Sequence, residues 1–275
     1  MSKTLPFDFD VSRYPRLNQA RGLFVVGTDT AVGKTLVAGA IARSLRNQGR
    51  KVAVFKPVAT GCNRRREGLV SEDAMFLAAC ADSSQSLIDV TPLRYHAAIS
   101  PNVAAERERR PVDLPAMFEA YNRAVTAGDT LIVEGVGGLL CPLSDDFWVI
   151  HLARLARLPV VIVARAGLGT INHTLLTLHT ARSAGLAVAG VVINGYEIEP
   201  TLHQAMAAEA PGLLPAHGDA ELAMFTNPAQ IAARGKVRVL AVVPREAGNS
   251  VEKITVGPDT QYAIDQVEWD ELMET

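Results

Sequence analysis

Three short stretches of the chain combine residue types that handle phosphate and metal. The first, Gly27-Thr-Asp-Thr-Ala-Val-Gly33-Lys34-Thr35, lies between an apolar run and an amphipathic one. Backbone N–H groups of such a loop, and of the helix it opens, can surround a phosphate chain. Lys34 would reach the β- and γ-phosphates and the Thr35 hydroxyl would ligate Mg2+. The strict pattern wants glycine at position 28, where this chain has Thr28; Gly27 comes one residue early and the loop is a variant. The G-x-G-x-x-G fingerprint of dinucleotide sites is absent. The second stretch, Lys56-Pro-Val-Ala-Thr60-Gly61, places another lysine where an apolar run ends. The third, Val133-Glu134-Gly135-Val136-Gly137-Gly138, ends a further apolar run with an acid and a flexible turn. Each also has a bland interpretation: a snorkelling lysine for Lys56, a capping acid for Glu134, a helix-start acid for Asp73. Two acids together with Thr35 are better explained by a magnesium ion neutralising a triphosphate. A lysine among other cations tends towards a lowered pKa, which is the expectation for Lys56.

Such residues need strands that end at one edge. Apolar, β-rich runs are found at 23–27, 51–55, 130–133, 160–164, 188–193 and 237–243. Between them, amphipathic periodicity and caps predict helices over 34–48, from Ser71 onward, and over 114–127, 147–158, 172–184 and 201–210. Strands apolar on both faces and alternating with helices predict an α/β fold. The sheet is expected to be mostly parallel and covered on each side. In a parallel sheet the carboxyl ends of the strands line the ligand crevice, so Lys56 should point towards the region of Lys34. The expected organisation is a loosely ordered arm over 1–21, one domain over 22–245 with a surface insertion over 211–236, and an acidic extension over 246–275 without clear periodicity. Alternatively, Phe7, Phe9 and Tyr14 of the arm pack onto the domain.

Composition excludes several classes. The 275 residues are 48% apolar and 20% charged, enough for a large core and unlike a disordered chain. A formal charge of -2 offers no general attraction for nucleic acid or an anionic membrane. No apolar stretch approaches the ~20 residues of a membrane helix, and the first residues lack the hydrophobic region of a secretory signal. Cys62, Cys80 and Cys141 are widely spaced, as expected of reduced thiols in a cytoplasmic protein. The six histidines form no metal spacing, and Arg64-Arg-Arg66 reads as a solvated loop.

Taken in order, seven stretches resemble the dethiobiotin synthetase family. They are the 27–35 loop, Lys56–Gly61, Glu72-Asp73-Ala74, Ser100-Pro101, Val133–Gly138, Ile171-Asn-His-Thr-Leu175 and Val192-Ile-Asn194, and they span roughly residues 22–195. The resemblance implies a doubly wound, mostly parallel sheet with helices on both faces, of the P-loop NTPase type. It implies ATP-dependent carboxylation and ring closure of 7,8-diaminopelargonic acid with CO2, with Mg2+ accompanying ATP, by a homodimer whose substrate site lies at the subunit interface. It implies catalytic roles for Lys34 and Lys56. It further implies ATP contacts from Thr30, Ala31, Val32, Gly33, Lys34, Thr35 and Leu36, from Asp73, Glu134, Gly135, Val136 and Gly137, and from Asn194 and Gly195. Thr35, Asp73 and Glu134 would hold the metal. Thr60, with Gly169, Thr170 and Asn172 of the neighbouring subunit, would bind the substrate. Without the resemblance, Asn172 would be a helix N-cap.

Two departures from the family stand out. Ala31 occupies a position where many members carry an acid, and Gly195 one where a second polar residue is frequent. The competing class is a ParA/MinD-like nucleotide switch, whose early loop lysine is replaced here by Asp29. A cobyrinic-acid-type amide synthetase would need a downstream Cys/His domain, for which 275 residues leave no room.

Overall fold

The computed structural model describes residues 9–66, 68–197 and 219–273. Its centre is a six-stranded sheet built from β1 (Gly22–Gly27), β2 (Val52–Phe55), β7 (Thr130–Gly138), β8 (Val160–Arg165), β9 (Val188–Tyr196) and β10 (Val239–Pro244). The strand order is β10-β9-β8-β1-β7-β2 and every pairing is parallel. All six residues of β1 are buried, as a central strand covered on both faces requires.

One face carries α1 (Lys34–Asn47), α2 (Glu72–Ala81) and α9 (Pro258–Asp265). The other carries α5 (Leu114–Ala127), α6 (Val149–Ala156), α7 (Thr170–Ser183) and α8 (Asp219–Gly235). Smaller elements sit beyond the β2 edge: β3 (Val58–Ala59) pairs with β6 (Leu93–Arg94), and β4 (Asn63–Arg65) forms a hairpin with β5 (Gly68–Val70). Two short helices, α3 (Leu87–Val90) and α4 (Pro101–Arg107), complete this side. The doubly wound expectation is met. Because β7 inserts between β1 and β2 while β8 pairs on the other side of β1, the chain reverses its winding at β1. Ligand crevices of open α/β sheets form at such points, outside the strands' carboxyl ends.

Three local expectations need correction. β7 continues through Gly138, so residues 134–138 are strand rather than turn; a register irregularity opposite residues 25–27 of β1 accommodates the glycines. α7 begins at Thr170 after Gly169, so Asn172 lies inside the first turn and is not the N-cap. The stretch expected to be a surface insertion contains α8, whose Asn227 and Ile231 are buried and whose Asn227 Nδ2 donates to the Ala166 carbonyl at 2.8 Å. The predicted helix over 201–210 lies outside the described residues. Among the described residues no helix is long and apolar enough to cross a membrane.

Both terminal segments join the core. Leu17 is buried, and Tyr14 packs edge-on against Phe147 with ring centroids 4.8 Å apart while its hydroxyl donates to the Asp146 carbonyl at 2.8 Å. Phe9 packs beside them, whereas Phe7 lies outside the described residues. At the other end, Trp269 is fully buried and donates its indole N–H to the Ile264 carbonyl at 2.8 Å. Arg21 and Arg50 both pair with the neighbouring Asp270. Trp269→Ala is therefore expected to destabilise the chain by about 3–5 kcal/mol, the usual loss for a large buried aromatic. A urea midpoint equal to that of the unaltered chain would show instead that this segment is peripheral.

Candidate active site

The carboxyl ends of β1, β2 and β7 deliver the chemistry. After β1 the phosphate loop turns through Ala31 at φ 57° and Gly33 at φ 88°, both left-handed. Gly33 is also sterically required: a Cβ there would come within 2.0 Å of Asn194 Nδ2, which itself donates to the Val32 carbonyl at 3.0 Å. Asn194, at the tip of β9, thus braces the loop from behind. Lys34 opens α1 and is 7% exposed; its ammonium donates to the Asp29 carbonyl at 2.9 Å. Burial holds its pKa below the usual lysine value, helped by repulsion from Lys56 and opposed by attraction to Glu134.

Lys56 follows β2 and is almost wholly buried. Its ammonium lies 2.8 Å from Glu134 Oε1 and 2.7 Å from Asp73 Oδ2. Asp73 is set in the first turn of α2, where the Ser71 hydroxyl caps the helix by accepting from the Ala74 N–H at 3.2 Å. Burial opposes charge on Lys56, but the two carboxylates outweigh it and its pKa is raised. The expectation of a lowered pKa therefore fails for Lys56 and describes Lys34: the groups nearest Lys56 are acids, not cations.

Glu134 closes the cluster. It is 1% exposed; its Oε1 accepts from the Thr35 hydroxyl at 2.7 Å as well as from Lys56, while its Oε2 is buried with no hydrogen-bond partner among the described residues. Burial raises its pKa, Asp73 adds to that rise, and Lys56 and Thr35 oppose it. The Thr35 hydroxyl and the two carboxylates are hard oxygen donors, and the unpartnered Oε2 is spare acceptor capacity suited to a cation. No group of three or more His, Cys, Asp or Glu among the described residues forms a protein-only metal cage. The donors present fit Mg2+, which keeps waters or phosphate oxygens in its shell.

A cavity of ≈ 340 Å3 opens over this cluster. Of the residues singled out from the sequence, Thr30, Ala31, Gly33, Lys34, Thr35, Leu36, Lys56, Thr60, Asp73, Glu134, Val136 and Gly137 line it. The others stand apart. Val32 turns its side chain into the core, and Gly135 faces Val149 and Phe24. Asn194 and Gly195 lie behind the loop at the end of β9. Gly169, Thr170 and Asn172 belong to the start of α7; Thr170 is fully buried and its hydroxyl lies 3.5 Å from that of Thr174, while Asn172 is exposed. Val251, which also lines the cavity, was not foreseen, because its segment carries no periodicity or motif.

The chain is similar to known proteins. A family model described as an AAA domain (AAA_26) matches residues 21–252. The ATP-dependent dethiobiotin synthetase BioD of Bacillus velezensis is 32% identical over 234 residues, covering 85% of this chain and 91% of that protein. The chain belongs to the dethiobiotin synthetase family. Another synthetase, BioD of Bacillus subtilis strain 168, is 39% identical over 180 residues, covering 66% of this chain and 77% of its own length. Among solved structures, the MinC:MinD cell division complex of Aquifex aeolicus gives a TM-score of 0.55 at 15% identity, covering 93% of this chain and 97% of that one. A ParA family ATPase from Chlorobium tepidum gives 0.51 at 13% identity, covering 92% and 98%. At those identities the likeness shows a common fold and nothing about a switch function. Three of the seven synthetase-like stretches, 27–35, 56–61 and 133–138, fall at the strand ends that build the lysine cavity.

Proposed function

We propose that the chain converts 7,8-diaminopelargonic acid, CO2 and ATP into dethiobiotin, ADP and phosphate. One amine adds to CO2 and, after losing a proton, forms a carbamate. A carbamate oxygen attacks the γ-phosphorus as ADP leaves, giving a carbamic–phosphoric anhydride. The second amine then attacks the carbamoyl carbon, loses its proton and expels phosphate, closing the cyclic urea.

The observation that supports this best is the pair of lysines facing one cavity beside three oxygen donors. Phosphoryl transfer needs alignment and positive charge around the moving oxygens more than it needs a base. Lys56, kept charged by its two acids, suits placement of the carbamate oxygen; Lys34 and the loop N–H groups suit the phosphates. Thr35, Asp73 and Glu134 would hold Mg2+, which when bound supplies charge neutralisation between the β- and γ-phosphates. On arrival of the substrates, Lys56 exchanges a carboxylate contact for a substrate oxygen.

A homodimer completes the scheme. The first turn of α7 has no side-chain cap: the Thr170 N–H donates to the Gly167 carbonyl at 3.3 Å, the N–H groups of Ile171 and Asn172 are left for a carboxylate, and Leu168 beside them is 83% exposed. We assign these groups, from a second copy, to the carboxylate of the substrate. The test is phosphate release with the diamine, bicarbonate and MgATP, each omitted in turn, with the product weighed by mass spectrometry. Release that ignores the diamine, or no product of cyclic-urea mass, would overturn the assignment.

A further inference from the structure

A second cavity, larger than the lysine site, is lined by arginines that the proposed reaction does not use. It measures ≈ 750 Å3 and lies between the β4–β5 hairpin, the segment after β6 and the end of α4. Arg64, Arg107 and Arg110 line it with His96, and Glu108 is its one acid. The side chains of Arg64 and Arg107 have no hydrogen bond or ion pair among the described residues, although their backbones belong to the hairpin and to α4. Glu108 is only partly available to offset them: its Oε1 accepts from the Ala97 N–H at 2.9 Å and its Oε2 lies 3.8 Å from Arg110.

The frame is braced rather than loose. Arg94 donates to the Leu69 carbonyl at 3.0 Å, tying the hairpin to β6. Arg110 donates to the Arg94 carbonyl at 3.2 Å, stacks 5.6 Å over the Tyr95 ring, and accepts from the Tyr95 hydroxyl through its own carbonyl at 3.1 Å. The volume lies in the range of small-molecule sites. Unpaired guanidinium groups arranged around a concave space select planar or tetrahedral oxyanions. We propose that this cavity binds a small, multiply charged phosphate-type oxyanion, free or as the phosphate tail of a nucleotide.

The site shares a wall with the lysine cavity. Gly61 turns at φ 75° and donates to the Ala97 carbonyl at 3.2 Å, and a Cβ on it would sit 3.3 Å from the Ala98 side chain. His96 Nδ1 lies 2.8 Å from the Cys62 carbonyl. Thr60, one residue earlier, lines the lysine cavity. An anion bound among the arginines therefore sits one chain segment away from Thr60.

Calorimetric titration of pyrophosphate into the full chain tests this in two backgrounds. In one, the lysine cavity is filled by a saturating non-hydrolysable ATP analogue with Mg2+; in the other, Lys34→Met disables the phosphate loop. The Lys34→Met chain should retain a binding event, and the analogue-filled chain should too if the cavity takes a free oxyanion and not the analogue's own tail; the event is weakened about tenfold or more by Arg64→Gln with Arg107→Gln, since each loses charge-assisted hydrogen bonds. Arg157→Gln, at a distant surface, should leave it unchanged. Inorganic phosphate and ATP are titrated in parallel: tighter pyrophosphate identifies a free oxyanion, tighter ATP a nucleotide tail. Absence of binding in both backgrounds, or equal affinity in the double variant, overturns the proposal. Neither outcome depends on whether the chain makes dethiobiotin.

Discussion

Lys56→Ala is expected to lower kcat by about 10²–10³-fold, the loss typical of one preorganised transition-state donor. The same change should also lower the unfolding free energy by about 3–5 kcal/mol, as removal of one partner from a buried ion pair does. The second effect follows from the neighbours: Glu134 is almost wholly buried, and without the ammonium 2.8 Å away only the Thr35 hydroxyl remains to satisfy it. Pairing with a second substitution separates the two effects. Lys56→Ala with Glu134→Gln should recover most of the stability, because no buried charge is stranded, and none of the activity. Urea denaturation and phosphate-release kinetics on the three proteins read this directly. A single variant with unaltered kcat would remove Lys56 from the reaction; one with unaltered stability would show that the pair is not a structural element.

The pH dependence of that variant follows from the same cluster. Burial already raises the Glu134 pKa above its usual 4.5, and losing Lys56 removes the main opposing charge. The native state then holds a proton that the unfolded chain has released, so stability falls as pH rises from 4.5 through the folded pKa. Lys56→Ala should accordingly lose less stability relative to the unaltered chain in mild acid than at neutral pH.

What the sequence makes legible here is what local patterns encode. The loop residues 27–35, Lys56 and Glu134 each follow an apolar run, and a parallel sheet brings the ends of such runs to one edge whatever the loops between them do. Asp73 is legible through its cap, because Ser71 and the acids behind it mark a helix start. Other features depend on long-range partners. Residues 134–138 look like a turn by composition, yet β1 offers them a strand to pair with. Helix α8 buries only Asn227, Ile231 and Gly235 and carries Pro228 inside it, a residue that reads in sequence as a helix break. Trp269 gains its meaning from α9 and the packing around it. The charge state of Lys56 likewise depended on distance: proximity to Lys34 could be inferred, but not that two carboxylates would lie closer.

Lys34→Met should produce the opposite combination from Lys56→Ala: a comparable collapse of activity with no loss of stability. Lys34 is as inaccessible as many core residues, but among the described residues its ammonium has no direct carboxylate partner; its hydrogen bond is to the Asp29 carbonyl. Its lowered pKa means that the native fold, before any phosphate binds, holds the charged form less readily than the unfolded chain does. At neutral pH that charge works against folding, and the penalty shrinks as pH rises towards the ordinary lysine value of 10.5. Methionine keeps the unbranched stem and removes the charge, so the urea midpoint should stay level or rise. Turnover should nevertheless fall by about 10²–10³-fold, since a cation aimed at the transferring phosphate acts chiefly in the transition state. A bound triphosphate would thus offset the cost of burying this ammonium. Binding of a non-hydrolysable ATP analogue should raise the melting temperature of the unaltered chain more than that of Lys34→Met. Equal stabilisation by the analogue in both proteins, or a Lys34→Met chain markedly less stable than its parent, would show that Lys34 serves the fold and not the nucleotide.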